Sequence, residues 1–145
     1  MTQSSDGAPP PLPGDDARAA LSSRCDAIEE AYEFMLAYAA QGLPSEGGSV
    51  SGGQIRDFLH KCDAALTGLG EAITHCVRRL GLEPPEPYHA FIDVVERDAR
   101  GARAAVQLVL AQRSIGSQLV DNLNASMHLR AVLTDLFLLD EVLKP

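Results

Sequence analysis

Residues 54–80 read QIRDFLHKCDAALTGLGEAITHCVRRL, and this stretch decides the fold class. Its apolar residues recur in alternating steps of four and three, which is the spacing of one face of an α-helix. A stripe of this kind is typical of helices that pack against each other as in a coiled coil. The sequence therefore predicts one long helix that begins at Ser51 and ends at Gly81, with this stripe facing the core: Ile55, Leu59, Cys62, Leu66, Leu69, Ile73, Cys76 and Leu80.

Three further segments show the same periodicity. The first begins at Asp15 or Asp16 and ends at Gly42, and the second begins near Pro87. The break between the third helix and the last one falls either at residues 114–117, which we favour, or at residues 122–124. Four helices of this kind predict an all-α protein, an antiparallel four-helix bundle with up-down topology. If the third helix runs unbroken past residue 116, the bundle has three helices.

The first fourteen residues differ in composition from the rest of the 145-residue chain. They hold four prolines among Ser, Gly and Asp, and such a segment buries too little apolar surface to offset the entropy of ordering. We therefore expect a disordered Pro-rich tail over residues 1–14 and a single helical-bundle domain over residues 15–145.

The charge and the cysteine content limit the classes of function. The net charge of −8 argues against nucleic acid as a partner, because phosphate binding needs clustered Lys and Arg. No apolar run approaches the roughly 18 residues of a membrane span, and no secretory signal stands at the N-terminus. Three cysteines without a Cys-x-x-Cys pair suggest a reducing compartment. We expect a cytoplasmic protein, and the large excess of Arg over Lys is typical of a bacterial one.

Two helices carry more apolar surface than a simple bundle needs. The first helix has a second stripe at Ala27, Ala31, Phe34 and Tyr38, and the last helix is apolar nearly all round. One explanation is that each of these helices contacts two neighbours within the chain. The other is a homodimer or a partner-protein interface, since large exposed apolar patches are rare on monomers. The interface candidates are Phe34, Tyr38, Leu133 and Phe137.

Few residues resemble metal ligands. Glu71 and His75 are four residues apart on one helix and are candidates for a shared metal ion or a salt bridge. His89 belongs to the sole Glu-x-x-His sequence, a spacing that di-iron helical bundles use twice. A polar, solvated surface is the default explanation for all three residues, so we expect no cofactor.

His60 is the histidine with the most suggestive surroundings. The stretch from His60 to Gly70 resembles the active helix of histidine phosphotransfer domains, through His60, Leu69 and Gly70. Those domains are four-helix bundles that relay phosphate between response-regulator aspartates, so the resemblance implies that His60 is a phosphoacceptor. The Lys and Gly that follow the histidine in the family are Asp63 and Ala64 here, and Asp63 would repel a phosphoryl group.

No catalytic motif emerges from the sequence, and the leading hypothesis is a non-catalytic helical bundle that acts through protein–protein interaction. It would serve as an adaptor, a small chaperone, or an assembly or regulatory factor. The alternatives are a phosphotransfer module that uses His60 and a metal- or cofactor-binding bundle. No sequence motif identifies the partner protein or the pathway.

Overall fold

The computed structural model describes residues 14–144, which form six α-helices and no strand. The prediction of an all-α helical bundle is confirmed, although the helices are more numerous and shorter than expected. The predicted tail lies outside the described residues, apart from Gly14. None of the helices within residues 14–144 is both long and apolar enough to cross a lipid bilayer. The helices are α1 (Asp15–Ala40), α2 (Val50–Leu66), α3 (Leu69–Leu80), α4 (Pro85–Leu110), α5 (Ser117–Ala125) and α6 (His128–Leu143).

The six helices occupy four positions around one core. α1 packs against α2 and α3 on one side and against α5 and α6 on the other, and α4 packs against the same four helices. Contacts between α2 or α3 and α4 show that they run antiparallel: Arg56 reaches Leu110, Asp63 reaches Arg103, and Gly70 reaches Glu96. These contacts follow one another every seven residues along α2 and α3, and every seven residues in the reverse direction along α4.

The predicted long helix over residues 51–81 is wrong in one respect, because it is interrupted at Thr67 and Gly68. Gly68 adopts a left-handed conformation with φ of 74°, and a new helix begins at Leu69. Two neighbouring helices satisfy the backbone groups that the interruption leaves unpaired. From α1, the Arg24 guanidinium donates to the carbonyl of Ala65 at 3.1 Å, and from α4, Glu96 accepts the amide of Gly70 at 2.8 Å.

The segment after α4 is broken near the favoured position, residues 114–117, but not at residues 122–124, which lie within α5. Residues 111–116 separate α4 from α5, and a second break at Ser126 and Met127 separates α5 from α6. Met127 has φ of 67° and is the sole non-glycine residue with a positive φ within residues 14–144. This sharp turn directs α6 mainly onto α4, whereas α5 packs mainly onto α1. A space therefore opens between α1 and α6.

Polar contacts stabilise the end of the bundle at which α1 and α4 end. Tyr38 is fully buried, and its hydroxyl donates to the carbonyl of Ile115 at 2.6 Å. Arg56 forms a salt bridge with Glu46 at 2.7 Å and donates to the carbonyl of Leu110 at 2.9 Å. The same Glu46 carboxylate accepts the amide of Ile115 at 2.9 Å. These contacts join the loop that follows α1 to the loop that follows α4.

Candidate functional site

A groove between α1 and α6 encloses a cavity of about 470 Å³. Its floor includes Cys76 from α3, and Phe137 of α6 stands at its edge. We call it the α1–α6 groove. A second cavity of about 340 Å³, beside Leu43 and Ser117, is smaller. The aliphatic and aromatic part of the lining of the α1–α6 groove comes from Leu21, Leu133, Leu136, Phe137, Leu139 and Leu143.

The charged residues of the groove are unevenly placed. Arg18 in the first turn of α1 and Lys144 just after α6 line the same end, while Asp26, Glu29 and Asp140 line the rest. The Nε atom of Arg18 is buried and has no hydrogen-bond partner within residues 14–144. An unpaired buried donor is costly, so an acceptor that bound Arg18 would be stabilised.

Two cysteines line the groove without being activated as nucleophiles. Burial, together with the nearby charges of Glu29, Asp26 and Asp140, raises the pKa of the half-buried Cys25 thiol to about 11. Burial also raises the pKa of Cys76, an effect that the charge of Arg18 partly offsets. Because the thiolate is the reactive form, both side chains are protonated at neutral pH and act as apolar lining.

The four predicted interface residues fall into two separate places. Phe34 is half-buried and stacks on Phe58 of α2 with ring centroids 4.1 Å apart, and Tyr38 is fully buried. The second apolar stripe of α1 is therefore taken up by contacts within the chain. Leu133 and Phe137 come together in the α1–α6 groove, where Leu133 is buried and Phe137 is 58% exposed.

The exposed side of α6 carries two further large apolar side chains, Leu138 and Val142. They are four residues apart and so lie on one face of the helix, while Phe137 lies about 100° around the helix from Leu138. Sequence reasoning did not select them, although the all-round apolar character of α6 was the signal that could have found them. Together with Phe137 they extend the apolar surface from the groove around the exposed side of α6.

The histidine and metal candidates remain isolated on the surface. His60, Glu71, His75 and His89 are all exposed. No group of three or more His, Cys, Asp or Glu side chains within residues 14–144 is arranged to hold a metal ion. The region that resembles a phosphotransfer helix is divided by the interruption after α2, so His60 lies on one helix while Leu69 and Gly70 lie on the next.

A carboxylate pair lies between α4 and α6, apart from the residues that line the groove. Burial, a hydrogen bond to Asp98 and the charge of Asp98 together raise the pKa of Asp135 to about 7. The Oδ2 atom of Asp135 is buried and has no other partner within the described chain. The two carboxyl groups therefore share a proton under mildly acidic conditions.

The chain matches no protein-family model, no curated protein and no solved structure. No activity can therefore be transferred to it from a relative. Its function has to be argued from the chemistry of the α1–α6 groove and from the exposed apolar surface beside it.

Proposed function

We propose that the protein is a non-catalytic binding protein, an adaptor, small chaperone or assembly factor that holds another protein at the α1–α6 groove. The observation that carries this proposal is the position of Phe137, which is 58% exposed at the edge of an apolar cavity. Aromatic side chains are enriched in the buried centres of protein interfaces. A phenylalanine held on a helix beside an open apolar groove suits that role.

The neighbouring surface of α6 supports the same proposal. Leu138 and Val142 are about half exposed, so that α6 carries three exposed large apolar side chains together with Phe137. Contiguous apolar surface on a soluble domain marks interaction sites more often than single exposed residues do. Exposed residues elsewhere, such as Leu108 on α4, stand apart from any such cavity.

The state of the thiols favours binding over nucleophilic chemistry. The pKa of Cys25 is raised to about 11, so its thiolate is scarce at neutral pH. A nucleophilic cysteine needs a lowered thiol pKa or an adjacent base, and a neighbouring cation or base supplies this activation. The three free cysteines also suit a reducing compartment, and we propose a cytoplasmic location on that ground. The excess of Arg over Lys supports a bacterial cell.

A second copy of the chain is one partner that this surface could hold. In a twofold homodimer the exposed side chains of Phe137, Leu138 and Val142 would pack against the same residues of the second copy. Sedimentation equilibrium at tens of micromolar, on the order expected for a weak interface, tests this. A dimer that Phe137→Lys dissociates and Leu108→Lys leaves intact would support it, whereas a wild-type chain that stays monomeric would exclude it.

The wider proposal is tested by site-specific photocrosslinking in the cells that produce the protein. A photoreactive phenylalanine analogue placed at position 137 should give a discrete adduct, because that side chain would lie within the interface. The same analogue at position 108 is the matched control, since Leu108 is at least as exposed but lies away from the groove. Identical adduct patterns from the two positions, or none from position 137, would contradict the proposal.

A further inference from the structure

We infer that the α1–α6 groove accepts an amphipathic helix of a partner protein, with an apolar stripe on one face and basic residues on both flanks. This inference rests on the proposed binding function and specifies its partner. The dimensions of the groove, the charges on its walls and the Arg18 side chain at one end support it.

The dimensions suit a short helix. On α1 the lining runs from Arg18 to Glu29, which at 1.5 Å per residue corresponds to about 16 Å. A helix of about eleven residues, or three turns, has that length. Laid between α1 and α6, it would place its apolar stripe over the aliphatic lining, as one more helix of the bundle.

The charges on the walls select a basic helix. Asp26 and Glu29 line the α1 side, and Asp140 lines the α6 side. A helix in the groove would therefore have carboxylates along both of its flanks, where Lys or Arg residues would be favoured. The same charges oppose the insertion of an acidic segment of a second copy of this chain, whose net charge is −8, into the groove, an arrangement different from a dimer through the exposed side of α6. They also oppose an anionic amphiphile such as a fatty acid.

The cationic end of the groove gives the helix a direction. The last carbonyls of a helix lack intrahelical partners and carry partial negative charge. Arg18 lines this end with a buried Nε that has no hydrogen-bond partner within residues 14–144, and Lys144 lies beside it. The C-terminus of the bound helix should therefore lie at Arg18.

Two synthetic helical peptides of about eleven residues test the inference with the full chain. They share one leucine stripe and differ in their flanks, which carry Lys in one peptide and Glu in the other. In fluorescence anisotropy the Lys peptide should bind at least about tenfold more tightly, and added salt should narrow the difference. Equal affinities, no binding of either peptide, or tighter binding of the Glu peptide would overturn the inference.

Variants of the walls show whether the peptide lies in the groove. The double substitution of Asp26→Asn and Asp140→Asn should weaken the Lys peptide several-fold. The matched control replaces Asp57 and Asp121, exposed residues of α2 and α5 that do not line the groove, and should leave its affinity unchanged. Equal effects of the two double variants would place the peptide elsewhere on the surface and refute the inference.

The direction is tested at the peptide's C-terminus. Replacing the free C-terminal carboxylate of the Lys peptide with an amide should weaken its binding to the wild-type protein but not to the Arg18→Gln variant. An equal loss of affinity for both proteins would refute the contact with Arg18.

Decanoate that binds as tightly as the Lys peptide would also overturn the inference, since it would identify a lipid pocket. If the peptides fail while position 137 still crosslinks a protein, the inference falls and the proposed binding function stands.

Discussion

The Tyr38 hydroxyl donates a 2.6 Å hydrogen bond to the carbonyl of Ile115, a residue 77 positions later in the chain. Next to it, the Ser117 hydroxyl donates to the carbonyl of Tyr38. Ser117 is the one buried polar residue of the described chain, and this bond satisfies it. The two contacts join the end of α1 to the start of α5, so the only tyrosine of the core acts as a cross-link between helices.

Tyr38→Phe should lower the free energy of unfolding by about 1–2 kcal/mol, because the buried carbonyl of Ile115 loses its partner. Urea denaturation measures this as a lower midpoint with an unchanged slope. Tyr32→Phe is the control, since Tyr32 is half-buried on the same helix and takes no part in the bond to Ile115. An equal loss in both variants would show that the hydrogen bond is not responsible.

Gly70→Ala should destabilise the protein, although alanine usually favours a helix. A Cβ atom at residue 70 would lie 2.4 Å from Cγ of Glu96 and would displace the carboxylate that accepts the Gly70 amide. Gly53→Ala in α2 meets nothing within 4 Å and should stabilise by about 0.5–1 kcal/mol. Thermal unfolding of the two variants should therefore shift in opposite directions, and a stabilised Gly70→Ala would contradict this account.

Asp135→Asn should remove a dependence of stability on pH. The pKa of Asp135 is raised from 3.8 to about 7 in the folded chain, so protonation favours folding. That contribution is complete below the unfolded pKa and is lost as the pH rises through about 7. At pH 8 the variant should be more stable than the wild type, by about 1 kcal/mol after allowance for solvent screening.

The control for this prediction is Asp121→Asn on the exposed surface of α5. Urea midpoints of the three proteins are compared between pH 4 and pH 8. The wild type and the control should both lose stability over this range relative to Asp135→Asn. Parallel curves for all three proteins would show that the pair of Asp98 and Asp135 does not govern the dependence.

Met127→Gly should stabilise the protein by about 1 kcal/mol, because a left-handed conformation strains every residue with a Cβ atom. Met127 has φ of 67° and is 56% exposed, so little buried surface is lost with its side chain. Met127→Ala keeps the Cβ atom and should bring no gain. The measurement is the urea midpoint of the three proteins. A glycine variant that is less stable than the alanine variant would disprove the backbone strain at Met127.

The thiols should react slowly with a water-soluble disulfide reagent in the native protein. Burial raises the pKa of Cys62 to about 12 and that of Cys25 to about 11, so neither forms much thiolate at pH 8. Cys25 should react first, since it is half-buried whereas Cys62 and Cys76 are buried. In urea all three should react at once. Cys25→Ser should abolish the early reaction, and an unchanged early phase would assign it to another cysteine.

Much of the fold could be predicted because the apolar spacing defines each helix and its buried face. The interruption after α2 could not, since Leu66 and Leu69 keep the helical step of three and both remain buried. Its stabilising partners, Arg24 and Glu96, come from other helices and are remote in the sequence. A positive φ at Met127 gives no signal either, because glycine is the residue expected there.

The candidate site was predictable only in part. The apolar character of the last helix indicated surplus surface, and Phe137 is exposed. The surplus stripe of α1 has a different outcome, because Phe58 of α2 covers Phe34 and α5 helps to bury Tyr38. Which stripe stays open depends on the turn at Met127, and that turn depends on tertiary packing.

The interruption between α2 and α3 has a consequence for how the chain folds. Its exposed carbonyl and amide groups are satisfied by Arg24 of α1 and Glu96 of α4, so neither helix end is complete until both neighbours are docked. A peptide of residues 50–80 alone would lack these partners. No pair of helices is then a self-sufficient folding unit, and the bundle should assemble and come apart in one cooperative step.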